Sequence, residues 1–238
     1  MKAMILAAGL GTRLKPFTDE HPKALAIING KSLLQRNIEY LASFGITDII
    51  VNVHHFPDQI TDTIKKNKGF GSNITISDEH DEVLETGGGL MKARDFFDEK
   101  EPFVLMNVDV LTDLNLGRMI RRHNSSNGLA TLAVTKRKTT RYFLFDELET
   151  LCGWKNIITR EQKISKEAPK FFKKAFSGIH IISPEIFSLI KMKGKFSMVD
   201  VYLKLCKTYT INGFDHSISK FIDVGKPESV ALAEEIFT

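Results

Sequence analysis

Two cations and two carboxylates stand out because of the residues around them. The run Met4-Ile5-Leu6-Ala7-Ala8 leads into Gly9-Leu10-Gly11-Thr12-Arg13, and Pro22-Lys23 follows. An apolar run before a glycine-rich loop predicts a buried strand and a loop whose backbone N–H groups can lie against phosphate. Arg13 and Lys23 would neutralise that phosphate, so the ligand class this stretch proposes is a nucleoside triphosphate. The planar fork of Arg13 suits the β- and γ-phosphates. Lys23 would bring a point charge to the α-phosphate and to an incoming phosphate. Asp109 follows the apolar stretch Phe103–Asn107, and Asp223 sits in Phe221-Ile222-Asp223-Val224-Gly225. A carboxylate flanked by apolar residues is costly when unpaired. Two of them over one Mg²⁺, with phosphate oxygens and water completing an octahedron, relieve that cost.

Two commoner glycine motifs do not fit. A dinucleotide fingerprint needs a third glycine where this chain has Leu14. Gly30-Lys31-Ser32 ends like a P-loop, but its first glycine would fall at Leu25 and no strand leads directly into it. Gly30-Lys31 is therefore expected to be a turn. His54-His55 has no third metal ligand spaced to match and is expected to be structural or solvent-facing.

The elements that must hold these groups alternate along the first half of the chain. Strands are expected at Met4–Ala8, Asp48–Val53, Asn73–Ser77, Phe103–Asn107 and Leu129–Thr135. Helices are expected at Leu33–Phe44, Pro57–Lys66, Gly88–Phe97 and Leu116–His123. This is the pattern of an α/β fold: a Rossmann-like, mostly parallel twisted sheet with helices on both faces. Ligands in such sheets sit beyond the carboxyl ends of the strands. The Gly9 loop, the Glu85–Gly89 loop and Asp109 would then converge on one crevice. After about residue 138 the pattern changes. Tyr142–Phe145, Asn156–Thr159 and Ala175–Ile182 suggest antiparallel strands, and Pro184–Ile190, Met198–Cys206 and Pro227–Phe237 suggest helices.

At 238 residues and 42% hydrophobic, the chain can bury a sizeable core. The net charge of +4 is mild, and Lys65-Lys66 and Lys136-Arg137-Lys138 read as solvated surface. Nothing implies a nucleic-acid or membrane partner. The two cysteines form no C-x-x-C motif, so the default expectation is a reducing cytoplasm. The first apolar run is too short for a signal peptide.

The strings Leu6-Ala7-Ala8-Gly9-Leu10-Gly11-Thr12-Arg13-Leu14-Lys15-Pro16 and Pro22-Lys23-Ala24-Leu25 resemble the signature of the sugar-phosphate nucleotidyltransferases. So do Glu85-Thr86-Gly87-Gly88-Gly89, Asn107-Val108-Asp109, Phe176-Ser177-Gly178 and Ile222-Asp223-Val224-Gly225-Lys226-Pro227-Glu228. The resemblance covers the whole chain. It implies one nucleotidyltransferase domain over 1–238, with a nucleotide-binding part at 1–138 and a mixed, partly antiparallel sugar-binding part with a closing helix at 139–238. It implies an enzyme that makes a nucleotide-sugar and pyrophosphate from a nucleoside triphosphate and a sugar 1-phosphate, with Mg²⁺ as cofactor; an oligomer is possible.

The resemblance assigns catalysis to Arg13 and Lys23 and the metal to Asp109 and Asp223. The nucleotide would meet Ala7, Ala8, Gly9, Leu10, Gly11, Thr12, Arg13, Lys23, Glu85, Thr86 and Gly87. The sugar would meet Asn107, Gly178 and Asp200. Thr86 is also a candidate helix N-cap. Trp154, the chain's single tryptophan, suits either a sugar face or core and interface packing. The family usually has glycine where this chain has Val108, so either the backbone there is ordinary extended chain or the site is reshaped. The form Leu84–Gly89 is closest to uridylyltransferases acting on N-acetylmuramic acid 1-phosphate, which implies UTP. Mannose- and heptose-1-phosphate guanylyltransferases carry similar loops, so GTP is the alternative. A glycosyltransferase is disfavoured because Asn107 stands where Asp-x-Asp would begin. A catalytically silent regulatory subunit is disfavoured because all four charged residues are present.

Overall fold

The computed structural model describes residues 1–237. In chain order the elements are β1 (Ala3–Leu6), β2 (Ile27–Ile28), β3 (Lys31–Ser32), α1 (Leu33–Ser43), β4 (Asp48–Val53), α2 (Pro57–Lys66), β5 (Asn73–Asp78), α3 (Glu85–Lys92), β6 (Phe103–Asn107), β7 (Val110–Thr112) and α4 (Leu116–Asn124). They continue with β8 (Ala130–Thr135), β9 (Arg141–Phe145), β10 (Leu151–Asn156), β11 (Gln162–Ile164), β12 (Phe172–Ile182), α5 (Ile186–Leu189), α6 (Met198–Leu205), β13 (Ile211–Asp215), β14 (Phe221–Asp223) and α7 (Pro227–Ile236).

β6, β1, β4 and β5 lie side by side in that order, all parallel. The chain runs outward from β1 to β4 and β5, then returns to place β6 on the other side of β1. The point where strand order reverses is therefore β1/β6, and the crevice beyond their carboxyl ends is the expected ligand site. β12 continues the sheet antiparallel to β6 and carries it on to β8, β9, β10 and β11, while β13 joins β8 in parallel. One ten-stranded sheet thus runs through both halves of the chain.

Side chains on a strand alternate faces, and the core obeys that period. Ala3, Ile5, Val104 and Met106 pack with α1, α2 and α4 through Leu34, Ile38, Ile60 and Met119. Met4 and Leu105 point the other way, to Leu90, Ile186, Met198 and Tyr202 of α3, α5 and α6. A third cluster joins Leu14, Ile28, Leu33, Leu111, Ile222, Val224 and Ala233. It fixes the segment after the Gly9 loop against β7, β14 and α7, and so fixes Arg13 relative to Asp223.

Some expectations shift. The strand expected at Asn156–Thr159 is instead β10, which ends at Asn156. The Asn156 Oδ1 accepts from Ile158 N at 2.9 Å and Thr159 N at 3.3 Å, a side-chain-closed turn leading to β11. The helix expected at Gly88–Phe97 starts earlier and stops at Lys92, with a separate 3-10 turn at Arg94–Phe96. The Pro184–Ile190 helix shrinks to α5. Gly30 is in a turn with φ of 77°, between β2 and β3, as expected.

Candidate nucleotidyl-transfer site

A cleft of about 400 Å³ opens at the β1/β6 switch point. Its walls include Ala7, Ala8, Gly9, Gly11, Thr12, Arg13 and Lys23 from one side, Glu85 and Thr86 from the other, and Asn107, Val108 and Asp109 at its base. That volume is within the usual range for a small-molecule site. Leu10 and Gly87, expected to meet nucleotide, are not among the lining residues, nor are Gly178 and Asp200, expected to meet sugar. Leu10 is exposed, and Asp200 is exposed on the first turn of α6. Gly178 backs the cleft from behind, because a Cβ there would fall 2.8 Å from Asn107 Nδ2. Trp154 pairs across β10 with Phe143 and Lys163, packs on the core, and carries the Lys163 ammonium 5.6 Å from its ring centre.

The loop after β1 turns at Gly11, whose φ is +63°. A Cβ at Gly11 would lie 2.8 Å from Thr18 Cγ2 and 3.1 Å from Lys23 Cβ, so glycine lets the loop close onto Lys23. Thr18 Oγ1 donates to the Gly11 carbonyl at 3.0 Å. Lys23, just after Pro22, forms an ion pair with the Asp109 carboxylate. Both side chains are largely buried.

Asp109 and Asp223 come together through β-pairing. β14 runs antiparallel to β7 with Asp223 opposite Val110, and Val224 N donates to the Asp109 carbonyl at 2.8 Å. Partial burial first, and the negative charge of Asp109 second, hold the Asp223 carboxyl above the usual range, while Lys23, Arg13 and Arg137 pull it back. Gly225 brings Arg13 close as well: a Cβ there would fall 2.8 Å from Asp223 Oδ1 and 3.0 Å from Arg13 Nη2. The donor set fits Mg²⁺, a hard cation that takes one or two carboxylates and completes its shell with phosphate oxygens and water. No group of three or more His, Cys, Asp or Glu that could hold a metal by itself occurs among the described residues.

Val108 shows no positive φ. It is buried against the α1/α2/α4 side of the core, and its carbonyl accepts from Asn37 Nδ2 at 2.7 Å. Of the two readings of that departure, ordinary backbone is the one observed.

The glycines of the Glu85–Gly89 loop serve packing. A Cβ at Gly87 would strike the Phe196 ring, one at Gly88 the Gly194 carbonyl, and one at Gly89 would lie 2.6 Å from Glu79 Oε1. Gly87 and Gly88 let α3 sit flush on the 194–196 segment, and Gly89 lets Glu79 and Asn52 pack against the helix. Gly87 N and Gly88 N both donate to the Phe196 carbonyl, at 2.9 and 3.2 Å. Thr86 is not an N-cap; that position is Leu84. Its Oγ1 instead accepts from Met198 N at 2.9 Å, which ties α3 to α6. Glu85, in the cleft wall, is held at φ of 59°. Such a conformation costs on the order of 1–3 kcal/mol for a non-glycine residue and clusters at functional sites.

Asn52, Glu79, Val83 and Ser197 line the cleft without a counterpart among the sequence expectations, and the first two are joined by hydrogen bonds. Asn52, at the end of β4, accepts from Ala7 N at 2.7 Å and donates to Glu79 Oε1 at 2.7 Å. Glu79 Oε2 accepts from Leu84 N at 3.0 Å. This buried chain of bonds links the Gly9 loop to the Glu85 loop and leaves a carboxylate in the cleft wall. A polar residue inside the apolar strand Asp48–Val53 was the available signal for Asn52. The histidine pair is structural: His54 Nδ1 lies 2.7 Å from the Glu79 carbonyl and His55 Nε2 2.9 Å from the Thr18 carbonyl.

The nucleotidyl transferase family model matches residues 2–236. This chain belongs to that family. Relatives include mannose-1-phosphate guanyltransferase 2 of Candida glabrata, 33% identical over 234 residues, and mannose-1-phosphate guanyltransferase of Saccharomyces cerevisiae, 32% identical over 234 residues. Each match takes in 96% of this chain but 62% of the relative, so the chain spans less than two thirds of their length. Among solved structures, HddC from Yersinia pseudotuberculosis complexed with GMP-PN superposes with a TM-score of 0.80 at 26% identity, covering 100% of this chain and 99% of that one. A putative glucose-1-phosphate thymidylyltransferase from Bacillus anthracis shares the fold, with a TM-score of 0.81 at 19% identity, over 99% of this chain and 94% of its own. The nucleotidyltransferase fold expected from sequence is the fold observed.

Proposed function

We propose that the protein transfers a guanylyl group from GTP to an aldose 1-phosphate of the mannose or heptose type, giving a GDP-sugar and pyrophosphate. The observation that supports the transfer reaction is the meeting of Arg13, Lys23 and Asp109 in one cleft at the strand-order reversal, with Asp223 beside its Gly225 wall. The choice of GTP over the UTP and N-acetylmuramate implied by the Leu84–Gly89 string rests on the relatives. Those at about a third identity are guanyltransferases, and a neighbour of equal chain length was solved with GMP-PN.

In this reading an oxygen of the sugar 1-phosphate bonds to the α-phosphorus. The bond to the bridging oxygen breaks, and pyrophosphate leaves with the electron pair. Little covalent work falls to the protein; it must position two polyanions and offset their charge. Arg13 grips the outer phosphates. Lys23 sits where it can share its charge between Asp109 and the α-phosphate. Backbone N–H groups of the Gly9 loop line the triphosphate, and Asn107 faces the sugar. Asp109 and Asp223 would hold Mg²⁺, which supplies further positive charge to the phosphates. This reading gives the glycine-loop and carboxylate residues the roles the resemblance implies and gives Asp200 none.

Competition at equal concentrations tests the base. With mannose 1-phosphate as acceptor, GTP should be consumed ahead of UTP, dTTP, CTP and ATP. UTP consumed first with every acceptor tried would return the reading to a uridylyltransferase.

A further inference from the structure

Arg137 has no part in the reaction as described, yet it is held at the edge of the carboxylate pair. It lies just past the end of β8, and its guanidinium is anchored on two sides. Nη2 donates to the Phe176 carbonyl at 2.8 Å, and the group stacks over the Phe221 ring at 5.0 Å. Phe221 and Asp223 are two apart on β14, so they face the same side of the strand while Ile222 points into the core. A cation over Phe221 is therefore about 7 Å along the strand from the Asp223 position. The other anchor leads to the same place. Phe176 begins the Phe176-Ser177-Gly178 bend of β12, and Gly178 packs directly behind Asn107 in the cleft base.

The anchors leave donor capacity unused. The Arg137 Nε is buried with no hydrogen-bond partner. No ion pair to Arg137 is formed among the described residues, although Asp223 acts on it through space. A half-buried guanidinium with no carboxylate partner is a site prepared for an anion. Arg13 and Lys23 already attend the Gly9 side of the carboxylate pair. Arg137 is carried by β8, and its two anchors by β12 and β14, at the Asn107–Gly178 end.

We propose that Arg137 binds the phosphate of the acceptor sugar 1-phosphate, on the flank of Asp109 and Asp223 away from Arg13. The assignment rests on the nucleotidyl-transfer reading and specifies how the second substrate is gripped. A phosphate monoester dianion approaching two carboxylates needs a fixed cation beside it. Arg137 supplies one whose orientation is set by an aromatic face and a backbone carbonyl, so little freedom is lost on binding.

Calorimetric titration of mannose 1-phosphate and glucose 1-phosphate into the full chain tests this without turnover, alongside steady-state KM values. R137M should weaken sugar 1-phosphate binding at least tenfold and raise its KM to match, with the KM for the triphosphate changed less than twofold. R137K, which restores a cation without the fork, should recover part of the loss. Thermal unfolding of each variant separates lost binding from lost fold, because a merely structural Arg137 would shift the melting temperature and both KM values together. Equal binding by wild type and R137M, or no binding of either sugar phosphate by wild type, overturns the assignment. Consumption of UTP ahead of GTP with an intact Arg137 effect would instead overturn the base choice alone.

Discussion

Each charged residue of the cleft makes a different thermodynamic contribution. In the proposed reaction Arg13 would face phosphates that are present before transfer as well as during it, so Arg13→Ala should raise the KM for the triphosphate about tenfold or more. Lys23 would face the α-phosphate, where charge gathers during transfer, so Lys23→Ala should fall mainly on kcat. Steady-state kinetics of the two variants checks the division, and equal small losses in both would remove it. The carboxylates differ too. Asp109 pairs with the largely buried Lys23, and removing one partner of such a pair leaves a charge uncompensated. Asp223 is exposed, lies beside the cleft's Gly225 wall and carries no ion pair among the described residues. Asp223→Asn should therefore lower turnover by two orders of magnitude or more with an unchanged melting temperature, whereas Asp109→Asn should lose both activity and stability. Thermal unfolding measured beside kcat separates them.

Arg13, Lys23, Asp109 and Asp223 were legible in the sequence because their flanks are unusual: glycines on one side, apolar strands on the other. Asn52 and Glu79 were not, since each is one polar residue whose meaning depends on a partner far along the chain. Asp200 shows the converse, a residue placed by family position that the fold leaves exposed on α6.

Among the elements, α3 depends most on what is missing from its side chains. Gly88 lies so close to the Gly194 carbonyl that Gly88→Ala must push α3 away from the 194–196 segment. Backbone cannot yield as a flexible side chain does, so the cost should be about 1–3 kcal/mol. Urea unfolding would show this as a lower midpoint at unchanged slope. Gly30→Ala is the contrasting case, with open space around its Cβ but a positive φ, so its cost is backbone strain without a clash. The glycine run was visible in the sequence, but its purpose was not. A glycine that admits a ligand and one that admits a neighbouring chain look the same until the neighbour is known. Strand and helix bounds were most legible where one signal was uncontested. β4 and α2 match their expected limits, the first an apolar run and the second a proline-led helix with Ile60 and Ile64 on one face. β10 was misplaced because the apolar pair Ile157-Ile158 suggested a strand, while the Asn156 side chain turns the chain there and leaves both exposed.

At the scale of the molecule, the parallel half was readable from alternating elements, but the continuity of the sheet was not. That continuity depends on β12, whose first residues pair with β9 and whose last pair with β6, with a positive-φ glycine between them. Pairing between distant strands leaves no local mark in sequence. The joined sheet buries polar groups, and three histidines show it. Burial holds His123 and His216 down to about 4 and His180 to about 3. His180 sits 2.7 Å from the Tyr202 hydroxyl, and His216 Nε2 2.8 Å from the Ser177 hydroxyl. Their folded pKa values lie below the unfolded value of about 6.5, so below that pH the unfolded chain takes up protons that the folded chain refuses. Their contribution is fully present above about pH 6.5 and is lost as pH falls towards 4. The urea midpoint should drop across that window, and NMR of the imidazole ring protons should show His180 untitrated down to pH 4. A His180 titration near 6.5 in the folded protein would contradict the burial argument.

The central claim is that these residues join a nucleotide to a sugar phosphate. Phosphorus NMR of the full chain with GTP, mannose 1-phosphate and Mg²⁺ tests it most directly, because every product is visible at once. The account predicts equal amounts of GDP-mannose and pyrophosphate, none of either without the sugar phosphate, and neither in the Asp223→Asn variant. Release of inorganic phosphate from GTP, pyrophosphate formed without an acceptor, or full activity in Asp223→Asn would contradict it.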